Sequence, residues 1–288
     1  MRQQTIIAVD WGTTNRRAYR IENGAVIRTE QDALGVTAVS PGGFPAEIER
    51  LRARHGGAPM LLAGMVGSNR GWMDAGYVPT AATLEALAGA VVRPIDDVMI
   101  VPGVRHIEAR RGDVMRGEEV QLLGAVAAGL APDDALLCQP GTHCKWAQMR
   151  GGAIASFITA MTGEMFALLK GHALIGQEMT GPVTPGDAFV EGVRESTRGD
   201  LLASLFGVRP ASLLGLRDRE DAAAFISGLL IGADCAAHAG KGDVHLLADP
   251  ALGALYACAI AELGGSSVLV DSHAAFVAGA NRLWEYLS

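Results

Sequence analysis

Hydrophobic and polar positions follow two rhythms along this chain, a strand-rich one that opens each half and a helical one that closes it. Ile6-Ile7-Ala8-Val9 is an unbroken, β-branched apolar run that reads as a buried strand, Thr5–Trp11, and Arg16–Ile21 resumes an extended pattern after a short turn. Glu22-Asn23-Gly24 is a turn of the Asn-Gly kind that joins hairpin strands, and Ala25–Thr29 completes an antiparallel meander. Ile48 and Leu51 sit at helical spacing among charges and predict a helix over Pro45–Arg54, stopped by Gly56-Gly57 before a buried strand, Met60–Met65. The loop Gly64–Trp72 is rich in small residues yet holds Asn69, Arg70 and Trp72, which suits a ligand-facing edge. A helix near Ala81–Val91, a strand Val98–Val101, a basic stretch, a helix Glu118–Ala128 and a strand Ala135–Gln139 follow.

The opening plan then recurs. Pro140-Gly141-Thr142-His143 makes a second Gly-Thr turn, and an extended pair, Trp146–Met149 and Ala153–Ile158, flanks the Arg150-Gly151-Gly152 turn. Helices are expected over Thr162–Lys170, Asp187–Glu195 and Arg219–Ala239. Strand Val244–Ala248, helix Leu252–Leu263, strand Ser267–Val270 and helix His273–Leu287 end the chain in an α/β pattern. Two related domains, 1–116 and 117–288, are expected to offer their Gly-Thr turns to a shared cleft, with the final helix free to pack on the first.

Composition narrows the partners. With 288 residues, 49% of them hydrophobic, the chain can build a sizeable core. A formal charge of −7 argues against nucleic acid or an anionic membrane as main partner, but leaves room for a small anion where a few Arg and Lys converge. Cys138, Cys144, Cys235 and Cys258 have no zinc-type spacing, so reduced thiols in a cytoplasmic protein are expected. No signal-peptide pattern or membrane-length apolar run is present. Oligomeric state is not readable, and a homodimer stays open.

Asp10, Gly12, Thr13 and Thr14 at a strand end form a candidate phosphate clamp. Glycine lets backbone approach an anion, hydroxyls and N–H groups bind it, and the carboxylate can hold hydrated Mg²⁺. Alone, Asp-x-Gly-Thr is more often an ordinary tight turn. The second turn, Gly141-Thr142, and the acidic helix start at Glu118 and Glu119 between the two shift the balance. Phosphoryl transfer from ATP needs phosphate donors, a metal and a base, and these residues supply all three. There is no G-x-x-x-x-G-K-[ST] run, and no G-x-G-x-x-G turn opening a helix, so a P-loop enzyme and a dinucleotide site are disfavoured. Glu118 and Glu119 lie about 100° apart on a helix and cannot both face one site.

The arrangement resembles the sugar kinase, heat-shock protein 70 and actin superfamily, which implies two ribonuclease-H-like domains with phosphate motifs at Asp10–Thr14 and Gly141–Lys145. More narrowly it is similar to the 2-dehydro-3-deoxygalactonokinase family. That resemblance rests on Val9-Asp10-Trp11-Gly12-Thr13-Thr14-Asn15, Met65-Val66-Gly67-Ser68-Asn69 with Gly71-Trp72, Val114–Glu119, Pro140–Trp146, Met161-Thr162-Gly163-Glu164 and Ser227–Ala233. It implies ATP- and Mg²⁺-dependent phosphorylation of the 6-hydroxyl of 2-dehydro-3-deoxy-D-galactonate in galactonate breakdown. Where many superfamily members carry an acid before the second turn, this chain has Gln139-Pro140, and Leu247–Gly253 lacks the double glycine common in adenosine motifs. Related exopolyphosphatases carry a Gly-x-Glu-Glu helix start whose second glutamate resembles a base, which favours Glu119. A keto-acid substrate with several hydroxyls makes Ser68, Asn69, Arg70, Arg116, His143, Lys145 and Glu164 the recognition candidates. The competing readings are a kinase of another 2-keto-3-deoxy sugar acid, a polyphosphate or nucleotide phosphohydrolase, and an ATP-binding regulatory protein.

Overall fold

The computed structural model describes residues 5–240 and 242–288. The chain forms two compact units. One runs to Asp134 and also takes Met149–Phe157 and Ser272–Ser288; the other is Ala135–Gln148 with Ile158–Asp271.

In the first unit, β1 (Thr5–Trp11), β2 (Arg16–Glu22) and β3 (Ala25–Asp32) form the expected meander. It extends through α1 (Phe44–His55) and β4 (Met60–Gly64), then β5 (Tyr77–Pro79), α2 (Leu84–Ala88), β6 (Val92–Ile95) and β7 (Val98–Ile100). A six-stranded sheet has the order β3-β2-β1-β4-β7-β6, with β1 antiparallel to β2 and parallel to β4. Because β1 and β4 are central, they are buried almost throughout, which is why both read as unbroken apolar runs. Ile7, Val9 and Trp11 meet Phe44, Ile48 and Leu51 of α1 on one side of this sheet. A smaller sheet joins β5 to a hairpin, β8 (Gly103–Glu108) and β9 (Arg111–Met115). Sequence reading passes over this hairpin because its strands are mostly exposed and show no apolar alternation.

Helix α3 (Glu118–Ala127) belongs to this unit, so the division falls after Asp134 rather than at the expected 116/117 boundary. The reason is its packing on the closing helix. A Cβ on Gly124 of α3 would lie 2.1 Å from the Ala275 carbonyl oxygen, and one on Gly279 would lie 2.1 Å from that of Val120. Reciprocal glycines bring the two backbones into contact that no larger residue permits.

The second unit carries β10 (Ala135–Gln139), β11 (Cys144–Arg150) as far as Gln148, and β12 (Ala153–Ala160) from Ile158 on. α4 (Thr162–His172), α5 (Asp187–Ser196), α6 (Leu201–Leu213) and α7 (Ala222–His238) follow, then β13 (Asp243–Leu247), α8 (Pro250–Glu262) and β14 (Ser266–Val270); α9 (Ser272–Leu287) returns to the first unit. Its sheet has the order β12-β11-β10-β13-β14, with β10, β13 and β14 parallel. Helices α5 and α7 repeat the device of α3 and α9. A Cβ on Gly192 would lie 2.1 Å from the Phe225 oxygen, and one on Gly228 would lie 2.0 Å from the Phe189 oxygen. Helix α6 is absent from the sequence expectations. Leu201, Leu202, Leu205, Phe206 and Val208 surround it without a single stripe, and Gly207 and Pro210 lower its helix propensity.

Candidate active site

Asp10, next to last in β1, is paired across the hairpin with Arg17, and the loop beyond is tied by Gly12 N–H donating to the Asn15 carbonyl at 2.9 Å. The carbonyls of Gly12, Thr13 and Thr14 accept N–H bonds from Val36, Thr37 and Gly35 at 3.0–3.2 Å, which anchors the turn while both threonines stay exposed. Asp10, Gly12, Thr13, Thr14, Asn15, Arg17 and Gln31 line a cavity of about 210 Å³. Arg17 was not singled out by sequence, although its register opposite Asp10 follows from the hairpin. Gln31 Oε1 accepts from its Nη2 at 2.8 Å, and its Nη1 lies 2.9 Å from His273 Nδ1.

The start of α3 presses against the same corner. Gly117, at φ 105°, lies so close to the end of β4 that a Cβ there would be 3.0 Å from Gly64 Cα and 3.9 Å from Asp10 Oδ1. Gln121 Nε2 reaches Asp10 Oδ2 at 3.4 Å, and Glu118, one turn earlier on that helix face, is half-buried. Burial first, and then the charge of Glu118, raise the Asp10 pKa to about 6, while Arg17 opposes the rise. Glu119 is turned away. It has no exposed surface, both carboxylate oxygens accept from Gly117 N–H at 2.7 and 2.9 Å, and burial followed by the Glu118 charge raises its pKa to about 8. Glu118 accepts the neighbouring Arg116 N–H at 3.0 Å.

Arg116 extends along the glycine-rich loop. Its side chain is 5% exposed, its guanidinium lies 4.3 Å over the Tyr77 ring, and Nη2 donates to the Gly76 carbonyl at 3.1 Å with Asp74 Oδ1 at 3.6 Å. Nε and Nη1 are buried without a hydrogen-bond partner, so three of the five N–H bonds of a permanent cation have no acceptor. Ser68, by contrast, is fully engaged in its own turn, donating to the Met65 carbonyl at 2.8 Å and accepting from Arg70 N–H at 3.2 Å. Asn69 and Arg70 are exposed at the loop end, while Trp72 stacks on Phe44 beside Trp11.

In the second unit, Gly141 and Thr142 form the turn between β10 and β11, and Glu164 N–H donates to the Thr142 carbonyl at 2.8 Å. A Cβ on Gly163 would lie 2.3 Å from the Gly141 oxygen, so the start of α4 rests directly on this turn. His143 Nε2 and Glu164 Oε2 pair at 2.6 Å on the surface. Lys145 is 4% exposed and enclosed in β11. Asp234, unremarked in the sequence, accepts from Trp146 Nε1 at 2.8 Å, Thr162 Oγ1 at 2.7 Å and Tyr256 OH at 3.2 Å, binding β11, α4 and α8 together. Gly141, Gly163, Ser227, Leu230, Leu252 and Tyr256 contribute to a mainly apolar cavity of about 200 Å³. In place of a double glycine, Asp249 caps α8, accepting from Ala251 and Leu252 N–H at 3.0 Å each.

Thus Asp10, Gly12, Thr13, Thr14, Ser68, Asn69, Arg70, Arg116, Glu118 and Glu119 belong to one unit, and Gly141, Thr142, His143, Lys145 and Glu164 to the other. The profile of the family described as 2-keto-3-deoxy-galactonokinase matches residues 10–283. The chain belongs to the 2-keto-3-deoxy-galactonokinase family. Among this family's proteins, the 2-dehydro-3-deoxygalactonokinase of Escherichia coli (strain K12) is 38% identical over 285 residues, covering 96% of each chain. The crystal structure of a Sinorhizobium meliloti protein described as a candidate 2-dehydro-3-deoxygalactonokinase superposes with a TM-score of 0.90 at 35% identity, covering 96% of this chain and 97% of that one. The activator of the 2-hydroxyisocaproyl-CoA dehydratase from Clostridium difficile, at 12% identity and a TM-score of 0.52, covers 98% of this chain and 94% of its own, and shows the fold alone. The 2-keto-3-deoxy-galactonokinase fold is therefore the α/β fold of actin-like ATPases and sugar kinases. No helix among the described residues is long and apolar enough to cross a membrane.

Proposed function

We propose that the chain transfers the γ-phosphoryl group of ATP to the 6-hydroxyl of 2-dehydro-3-deoxy-D-galactonate. Membership of a kinase family makes ATP the co-substrate. The observation that carries the mechanism is the convergence of Asp10, Glu118 and Gln121 on one corner beside the Gly12–Thr14 turn. That turn, with Arg17, holds phosphate oxygens. Gly141 and Thr142 hold phosphate in the other unit, and the apolar cavity beside them suits an adenosine moiety.

Asp10 is the residue that would hold Mg²⁺. Two acids side by side, opposed by Arg17 alone among the causes acting on Asp10, favour a cation there, and Mg²⁺ needs only one or two carboxylates when phosphates and waters complete its shell. No cluster of three acidic, His or Cys ligands exists among the described residues, which fits a metal held largely through water and nucleotide. Bound Mg²⁺ would neutralise charge on the transferred phosphoryl group.

Glu118, not Glu119, takes the proton. The reaction forms the O6–P bond, breaks the bond from phosphorus to the β–γ bridging oxygen, releases ADP and passes the hydroxyl proton to a carboxylate. Glu119 is closed off from solvent with both carboxylate oxygens engaged by the Gly117 N–H, so it serves to fix the Gly117 turn. This reading differs from the preference for Glu119 that the phosphatase resemblance suggests. Arg116 receives the substrate carboxylate: a desolvated guanidinium with unmatched N–H donors is stabilised by an anion more than any neutral group. Asn69 and Arg70, exposed at the end of the glycine-rich loop along which Arg116 extends, are the groups left for the hydroxyls, and the cytoplasm is where ATP would be met.

The test is a coupled assay of ADP formation over a panel of 2-keto-3-deoxy sugar acids, with neutral sugars and polyphosphate as controls. Turnover confined to the sugar acids supports the assignment. Phosphate release from polyphosphate with no sugar acid present would replace it with a phosphohydrolase.

A further inference from the structure

The side chains of Leu174, Leu202, Phe206, Leu213, Leu214 and Leu216 are each 72–80% exposed, on α6, the turn after it and the single helical turn Leu174–Glu178. α6 packs on α7 and on that turn; Leu174, Phe206 and Leu213 line one hollow there, Leu202 lies one turn before Phe206 on the same helix face, and Leu214 and Leu216 continue from the end of the helix. None of them belongs to the site described above. We infer that this flank is a two-fold interface between two copies of the chain.

Area argues for a second copy. Covering six such side chains withdraws on the order of 600 Å² of apolar surface, at or above the largest patch of an ordinary monomer. A two-fold contact presents the same patch from both sides, so roughly 1,200 Å² is lost in total, within the range of stable, specific interfaces. A differently surfaced partner would have to supply an equal apolar patch of its own. A second copy supplies it by symmetry.

Charge points the same way. Arg209 is the only charged side chain in residues 201–216. At the margin, Arg217 pairs with Glu191 at 2.5 Å and Arg219 with Glu178 at 2.7 Å. The patch therefore carries a single positive charge, too weak a field to select an acidic partner or to repel a second copy strongly. It also lacks the basic rows that seat a helix on anionic lipid, on a chain whose formal charge is −7. Shape fits as well. Phe206 stands proud on the face that opens, between Leu174, Leu205 and Leu213, into a cavity of about 550 Å³. Beside it, Gly207 leaves open space where any Cβ would meet nothing within 4 Å. A protruding ring and a hollow on one surface are what self-complementary docking requires.

The test is the mass of the full chain in solution, by sedimentation velocity between about 1 and about 50 µM. The expected value is about 60 kDa, twice the 30.0 kDa chain. Phe206→Asp and Leu213→Lys, both at exposed positions, should weaken self-association at least ~100-fold and give the single-chain mass. Their per-chain turnover should stay unchanged, and their thermal melting should match that of the wild type diluted to single chains. If either variant folds poorly, hydrogen exchange on the wild type decides, because amides of 201–216 should gain protection as concentration rises. A wild type that stays at single-chain mass, a dimer that survives both substitutions, or binding to phosphatidylglycerol vesicles without self-association would each overturn the inference.

Discussion

Replacing Glu119 by Gln should flatten the pH dependence of stability in a defined window. The folded-state pKa of about 8 lies above the ordinary 4.5, so between these values the native chain binds a proton that the unfolded chain has released. Stability therefore falls as pH rises through that window and levels off above it. Asp10 acts in the same direction, but only between 3.8 and about 6, so working above that range isolates Glu119. Moving from about pH 6.5 to about 8.5 covers about 1.5 units of the Glu119 rise, or ~2 kcal/mol at about 1.4 kcal/mol per unit. Urea denaturation at the two pH values measures it. Wild type should lose ~2 kcal/mol more than Glu119→Gln, whose amide mimics the protonated acid and does not titrate. Parallel losses in the two proteins would show that Glu119 is ionised in the native state.

Other consequences are as specific. Glu118→Gln should lower kcat by ~10²–10⁴ with KM for the sugar acid nearly unchanged, and Glu119→Gln should lower it far less; the reverse order in steady-state kinetics would return the base to Glu119. Arg116→Gln should raise KM for the sugar acid by roughly 10- to 100-fold, from ~1.5–3 kcal/mol of charge-assisted hydrogen bonding, and leave KM for ATP untouched. Gly163→Ala forces a Cβ to 2.3 Å from the Gly141 oxygen, so the second turn must shift, with a higher KM for ATP and ~1–3 kcal/mol lost in denaturant titration.

What the sequence made legible was local. Asp10 to Thr14 could be read because strand, turn glycine and hydroxyls are contiguous, and the meander because Asn23-Gly24 dictates its hairpin. Which glutamate faces Asp10 was not legible. It depends on how α3 is rotated, which Gly117 at its start and the Gly124–Gly279 contact with a helix some 150 residues later decide. The surroundings of Ser68 and Lys145 were not legible for opposite reasons: the hydroxyl closes its own turn, and the ammonium sits in a buried strand whose neighbours the pattern could not reveal. Arg17 and Asp234 were missed because their roles exist only across strands or between helices. Helix α6 was missed because a helix apolar on every side has no period to detect, and that same property leaves its outer surface without a partner inside the chain.

The most direct test of the account is phosphorus NMR of the purified chain with ATP, Mg²⁺ and 2-dehydro-3-deoxy-D-galactonate. A phosphomonoester signal coupled to the two C6 protons, growing in step with ADP and absent without the sugar acid, is the expected result. ADP accompanied by inorganic phosphate alone, or a phosphoryl group on any other oxygen of the sugar acid, would contradict it.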